Sequence, residues 1–363
     1  MRHWKGFEHG MGIGGWLTNY KRFNVLTRDQ QLQLTIGDFE HFASYITEQD
    51  IAYIASLGMD HIRLGIDQLV VEEEEGKYRG EIMGHIDRFI GWCEKYNLGI
   101  ILNMHKAIGN YCDIREDVGL LDDEKLQSRF ISFWKYFEQY YAGKPDVVFE
   151  LLNEVLDVPK EKWNSLARRT VAAIREMNPT RRIIIGSSVW NSPGKLCELD
   201  FFENDENVGY TFHIYAPNEF THQRGVLQQP QCFYNRDMPY PGDIERYRHF
   251  MKTVWGKENA YAQYDRMDKQ FLADQLEPAF EFHRQHPDAF LWCGEFGTIR
   301  HAKMEWREAW MRDVISLLKE HDVPYCVWNY LSTPNDGNRF SLVDDDRREI
   351  LSSEMAKIIR GEI

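Results

Sequence analysis

Short apolar runs alternate along this chain with longer segments in which apolar residues return every three or four positions. The plainest run is VVFELLNE, Val147–Glu154. An almost unbroken apolar stretch rich in Val, Leu and Phe reads as a strand buried on both faces. Seven further runs read the same way: Gly10–Gly15, His61–Ile66, Ile100–His105, Arg182–Gly186, Val208–His213, Phe290–Cys293 and Tyr325–Trp328. The first is weak by propensity because of its glycines. Between these runs lie helical patterns. Thr47-x-x-Asp50 is a capping-box-like start for a helix over Glu48–Leu57, which Gly58 stops. Met83–Tyr96 puts Ile86, Phe89, Ile90, Cys93 and Tyr96 on one face. Glu124–Tyr141 carries Phe130, Phe133, Trp134, Phe137 and Tyr141 as a stripe that suits a core. Helices are also expected over Glu161–Met177, Arg266–His286, Trp306–Glu320 and near Glu349–Arg360, while the charge run Glu72–Glu75 reads as a solvated loop.

Eight strands alternating with helices give the rhythm of an α/β chain with a parallel sheet and the count of a (β/α)8 TIM barrel. Residues 1–363 are expected to form one such domain. One connection breaks the rhythm. Between Tyr215 and Phe290 the chain is far longer than the roughly 2–6 residues usual for loops in α/β units, even after one helix is subtracted. The remainder, Pro217–Tyr264 (217–264), is an insertion that leaves the barrel at the C-terminal end of the sixth strand. It holds Phe220, Phe233, Tyr234, Tyr240, Tyr247, Phe250, Trp255 and Tyr261. We expect a small subdomain that roofs a cleft.

Several strands end in a residue with chemistry. The second supplies Arg63, the third His105, and the fourth Asn153 and Glu154. The sixth gives His213 and Tyr215, the seventh (Ala289–Gly297 as a whole run) gives Glu295, and the eighth gives Trp328. Each alone has a bland explanation, since buried arginines pair with carboxylates and tryptophans fill cores. Gathered at the strand C-termini of one barrel they mark an active site. The expectation is that Glu154 and Glu295 face each other across one pocket. Two such carboxyl groups, one protonated and one ionised, are what hydrolysis of a glycosidic bond needs. Arg63 would hold Glu295 ionised, and Tyr215 would donate to the same carboxylate. Asn153 would bond a sugar 2-hydroxyl, His105 and His213 would orient other hydroxyls, and Trp328 would floor the ring.

Composition narrows the partners. The formal net charge of −14 argues against nucleic acid or an anionic membrane and fits a neutral substrate. Aromatic content of 14% suits sugar faces as well as a large core. The cysteines at 93, 112, 197, 232, 293 and 326 form no CxxC pair and read as free buried thiols. His105 and His213 stand in no HxH or HExxH spacing, so neither a metal nor another cofactor is expected. The N-terminus shows no apolar signal-peptide region, and no run of 18 apolar residues exists. The compartment stays open between cytoplasm and secretion with a leader removed. A monomer is expected.

The motifs taken together resemble glycoside hydrolase family 5, a clan of retaining (β/α)8 glycosidases. The resemblance runs through GIGGW (Gly12–Trp16), HIRL (His61–Leu64), NMH (Asn103–His105), LLNE (Leu151–Glu154), FHIY (Phe212–Tyr215), GEFG (Gly294–Gly297) and VWNY (Val327–Tyr330), nearly the whole chain. It implies that Glu154 is the acid/base and Glu295 the nucleophile. It also implies that Arg63, His105, Asn153, His213, Tyr215 and Trp328 fill the family's other site positions. FTHQ (Phe220–Gln223), the insertion and WCEKYNLG (Trp92–Gly99) resemble the subgroup that includes clostridial endoglucanase C. The implied activity is endo-acting hydrolysis of β-1,4-glucan and mixed-linkage β-1,3-1,4-glucan, polysaccharide or oligosaccharide. A β-mannanase or an exo-acting β-glucosidase or β-1,3-glucanase of the same family is the alternative. Where relatives often read DMHHAPG this chain reads NMHKAIGN (Asn103–Asn110), with Lys106 in place of the second histidine.

Overall fold

The computed structural model describes residues 2–18, 39–113, 118–226, 229–333 and 337–363. Most of the segment between the first strand and Tyr45, which reads as polar, lies outside them. Among the described residues, parallel strands close into a barrel: β1 His9–Leu17, β2 His61–Asp67, β3 Gly99–Lys106, β4 Val147–Glu150, β5 Ile183–Gly186, β6 Val208–Ile214, β7 Phe290–Phe296 and β8 Tyr325–Val327. Each strand pairs with its neighbours in sequence, and β8 closes on β1. Outside lie α1 Glu48–Ser56, α2 Gly80–Lys95, α3 Glu124–Tyr140, α4 Lys160–Arg175, α5 Lys269–Gln285, α6 Met304–Glu320 and α7 Ser353–Ile359. The (β/α)8 barrel read from the sequence is the architecture observed. Only after β5 does the alternation lapse. There SPGK supplies a proline and a glycine, and a 3-10 turn over Pro193–Glu198 replaces a full helix.

Local chemistry explains the element boundaries. The capping box starts α1, with the Thr47 N–H donating to the Asp50 carboxylate at 2.7 Å. The aromatic stripe of α3 is buried throughout. The glutamate run is a correction. Glu72–Glu74 pairs with Lys77–Tyr78 in a small hairpin, and Glu72 is fully buried. Its carboxylate accepts from Gln68 Nε2, Arg129 Nε and the Gly76 N–H, which compensates for leaving water. A second correction concerns the thiols: all six are free, but Cys197 is exposed and Cys232 half-buried.

The barrel interior is built in layers by the two-residue period of the strands. Near the strand N-termini Ile101, Val148, Ile184, Phe290, Trp292 and Cys326 pack together, and Trp4 and Phe7 seal them from below. Trp4 stacks on Phe290 with centroids 4.2 Å apart. Two residues further along their strands, Arg63 and Glu150 form a fully buried ion pair. β1 faces this interior with glycines. A Cβ on Gly12 would sit 2.7 Å from the Trp328 ring, and one on Gly14 2.4 Å from it. The glycines that weaken β1 as a strand are what leave room for that ring.

The insertion is tied at its base by Gly242–Asp243 pairing antiparallel with Arg266–Met267. Its main helix runs Ile244–Trp255. Phe220, Tyr240, Tyr247 and Phe250 are buried, Phe220 against Trp310 and Tyr240 donating to Asp313 of α6, while Phe233 and Trp255 are exposed.

Candidate active site

Two backbone irregularities aim the glutamates. β4 ends at Glu150, four residues earlier than the sequence suggested, although the next residues still bond to both neighbouring strands. Leu151 N–H donates to Ile184 O at 3.1 Å and Asn153 N–H to Met104 O at 2.8 Å. The chain thereby turns over the barrel mouth, carrying Asn153 and Glu154 with it. In β7 the register against β6 shifts between Cys293 and Glu295, so that Glu295 pairs with inward-facing His213. Strict alternation from Trp292 would send Glu295 outward; the bulge reverses this. Gly294 permits it, since a Cβ there would lie 2.4 Å from Thr211 Oγ1.

Glu154, His213 and Glu295 thus converge, each with a ligand atom within 4.8 Å of the other two. They open into a cavity of about 780 Å³, also lined by His105, Asn153, Tyr215 and Trp328. Seven of the eight residues expected at the site line this one cavity. Arg63 does not. It is wholly buried beneath it, donating through Nη1 to Glu295 at 2.7 Å, through Nη2 to Asn153 Oδ1 at 2.6 Å, and through Nε and Nη2 to Glu150. Arg63, expected to hold Glu295 ionised, bonds both Glu295 and Asn153, whose amide oxygen faces it.

The two glutamates differ in what opposes their burial. Glu154 is driven well above the ordinary carboxyl range, by burial first, then by the charges of Glu295 and Asp113. Glu295 is raised as well, because it too is buried. Arg63 and the Tyr215 hydroxyl, which donates to Glu295 Oε1 at 2.7 Å, pull it back. Of the two, Glu154 is the one with less to oppose its rise. His213 Nδ1 lies 3.0 Å from Glu154 Oε1. Burial and Arg63 push His213 far down, as they do His105 with Lys106 added, so both rings are neutral. His105 stacks on Trp328, with centroids 5.3 Å apart and planes 7° apart.

Among the described residues, Glu154, His213 and Glu295 are the one group spaced for a metal ion. Glu154 Oε1 is bonded to His213 Nδ1 and the two Glu295 oxygens to Arg63 and Tyr215, while His213 Nε2 has no partner among the described residues.

Three features escape the sequence pattern. Glu150 anchors Arg63 from within an apolar run that gives no sign of it. Lys106 is buried and paired with Asp113, with its ammonium 5.1 Å from the Tyr111 ring centroid. Trp190 lines the cavity from a loop in which Val189, Trp190 and Asn191 all take left-handed backbone, φ 57°, 55° and 57°. Such residues cost of order 1–3 kcal/mol each. The turn is pinned by Trp190 N–H to Val155 O at 2.9 Å and Trp190 Nε1–H to Cys112 O at 2.8 Å. No periodicity announces it. Of the insertion, Asn218 and His222 line the cavity, and the eight aromatics expected to wall it do not.

Comparison with known proteins agrees with this geometry. Residues 24–333 match the family model for cellulase, glycosyl hydrolase family 5. Endoglucanase C of Acetivibrio thermocellus is 36% identical over 358 residues, covering 97% of this chain and 98% of its own. Cellodextrinase A of Ruminococcus flavefaciens is 27% identical over 324 residues, covering 88% of this chain and 84% of its own. The crystal structure of endoglucanase Cel5A from Thermotoga maritima superposes with a TM-score of 0.71 at 22% identity, over 98% of this chain and 97% of that one.

Proposed function

The chain belongs to glycosyl hydrolase family 5, the cellulase family, and on that premise we propose that it is a retaining endo-β-glucanase acting by double displacement. Glu295 attacks the anomeric carbon while Glu154 gives its proton to the departing glycosidic oxygen. The resulting glycosyl ester on Glu295 is then hydrolysed by a water from which Glu154, now ionised, removes a proton. Each turnover consumes one water and restores both carboxyl groups. The observation that carries this reading is the closeness of the two glutamates, with oxygens within 4.8 Å. Retaining sites hold their carboxyl groups about 5–5.5 Å apart, whereas inverting sites need about 6.5–9.5 Å to admit a water between them.

The substrate we propose is β-1,4-glucan, including mixed-linkage β-1,3-1,4-glucan. The support is the relative named Endoglucanase C, the Trp328 face beneath the cavity, and a net charge of −14 that favours uncharged glycans. The roof supplied by the insertion is proposed in a narrower form than the sequence suggested, through Asn218 and His222. Proton NMR during hydrolysis of mixed-linkage glucan tests both halves of the proposal. The expected result is β-configured reducing ends first, on tri- and tetrasaccharides. Initial α-anomers would overturn retention, and glucose alone from the outset would overturn the endo mode.

A further inference from the structure

His222 follows the short helix Asn218–Thr221 at the root of the insertion and lines the cavity beside Tyr215. Its ring packs edge-on against Tyr215, centroids 5.1 Å apart, and against Phe340 at 4.9 Å. The hydrogen bonds beneath it fix its tautomer. Thr221 Oγ1 lies 2.5 Å from the carbonyl oxygen of Tyr215, an atom that can only accept, so the hydroxyl hydrogen is used there. The same Oγ1 lies 3.0 Å from His222 Nδ1. With no hydrogen left to give, the hydroxyl accepts, and Nδ1 carries the N–H. Burial brings the ring's pKa down to about 4, so it is neutral near neutral pH. Its other nitrogen, Nε2, therefore presents a lone pair. Nε2 has no hydrogen-bond partner among the described residues, and the half-buried ring lines the cavity.

This is an unusual offering at that wall. Tyr215 has given its hydrogen to Glu295, and Arg63 occupies the Glu295 oxygen that Tyr215 leaves. A sugar hydroxyl arriving at that wall needs an acceptor for its hydrogen, and Nε2 offers one beside a carboxylate whose two oxygens already accept from Arg63 and Tyr215. We propose that His222 Nε2 accepts a hydrogen bond from a hydroxyl of the bound glycan, which makes His222 a substrate-binding residue contributed by the insertion. The inference rests on the glycan reading above. It also gives the insertion a polar, geometry-selective contact in place of the aromatic wall.

The test is calorimetric binding of cellotetraose and mannotetraose in a Glu154→Gln background, which suppresses turnover. His222→Phe keeps the ring packing on Tyr215 and Phe340 and removes the acceptor. One neutral hydrogen bond corresponds to about three- to tenfold in affinity, so His222→Phe should weaken binding by that factor, and His222→Gln should recover most of it. Against a set of monodeoxy cellobiosides, one deoxygenation should weaken binding to the parent and leave His222→Phe unchanged. A packing role would instead weaken every ligand alike, and that pattern overturns the inference. If one tetrasaccharide binds the parent and His222→Phe binds it as tightly, this inference fails alone. If the parent binds neither, the glycan reading fails with it.

Discussion

Glu154 and Glu295 are the same residue type in opposite surroundings. Glu154 faces another carboxylate and Asp113; Glu295 faces a guanidinium and a phenol. Glu295→Gln should therefore lower turnover by several orders of magnitude on every substrate, because no covalent ester can form. Glu154→Gln should cost far less on an aryl glycoside whose leaving group departs without a proton than on glucan. Steady-state rates on both substrates check this; equal losses contradict the assignment. The raised pKa has a second consequence. A carboxyl whose folded-state pKa lies above its unfolded value contributes stability at low pH, and that contribution is lost as pH rises toward the folded value. Each unit within that window removes up to about 1.4 kcal/mol. Glu154→Gln lacks this loss, so its melting temperature should rise relative to the parent as pH increases from about 4.5, the side chain's ordinary value. Thermal melts across pH check this, and a gap that shrinks with rising pH contradicts it.

Among the elements, β1 and β7 carry the site in ways of differing legibility. The inward glycines of β1 are a space requirement written as weak strand propensity. Gly14→Ala should push Trp328 off its position, costing about 1–3 kcal/mol by overpacking. It should also cut kcat/KM on glucan more than tenfold if Trp328 floors the sugar as proposed (about 1.4 kcal/mol per tenfold). A crystal structure with Trp328 unmoved would contradict this. The sequence makes most of the barrel readable because apolar runs and helical stripes report burial directly, and α3 is the plainest case. It also reveals which residues gather at the mouth, since strand C-termini are recognisable as the places where apolar runs stop. Orientation is less visible. Simple alternation does not contain the bulge that turns Glu295 inward, nor the early end of β4. Glu150 and Glu72 are hidden for one shared reason: a buried carboxylate looks like a solvated one until its distant partners, Arg63 and Arg129, are folded beside it. The left-handed turn at Trp190 leaves no local mark, because glycine, the usual sign of such backbone, is absent from it.

For the molecule as a whole, the net charge of −14 acts at long range. Approach of an anionic carboxymethylated glucan should be opposed at low ionic strength and relieved by salt, since the screening length falls to about 10 Å at 0.1 M. The ratio of kcat/KM on carboxymethylated to neutral glucan should rise severalfold between about 0.01 and 0.1 M salt; a flat ratio contradicts this. The packed layer of Trp4, Phe7 and the first inward residues of the strands has its own consequence. It makes the barrel a blind well, with a floor and one rim. A polymer cannot be threaded through it, so a long glycan has to lie across the rim, with its two halves running out to either side. On the double displacement proposed above, one half departs along the surface it already occupies, and water for the second step then has to come down through the mouth it has vacated.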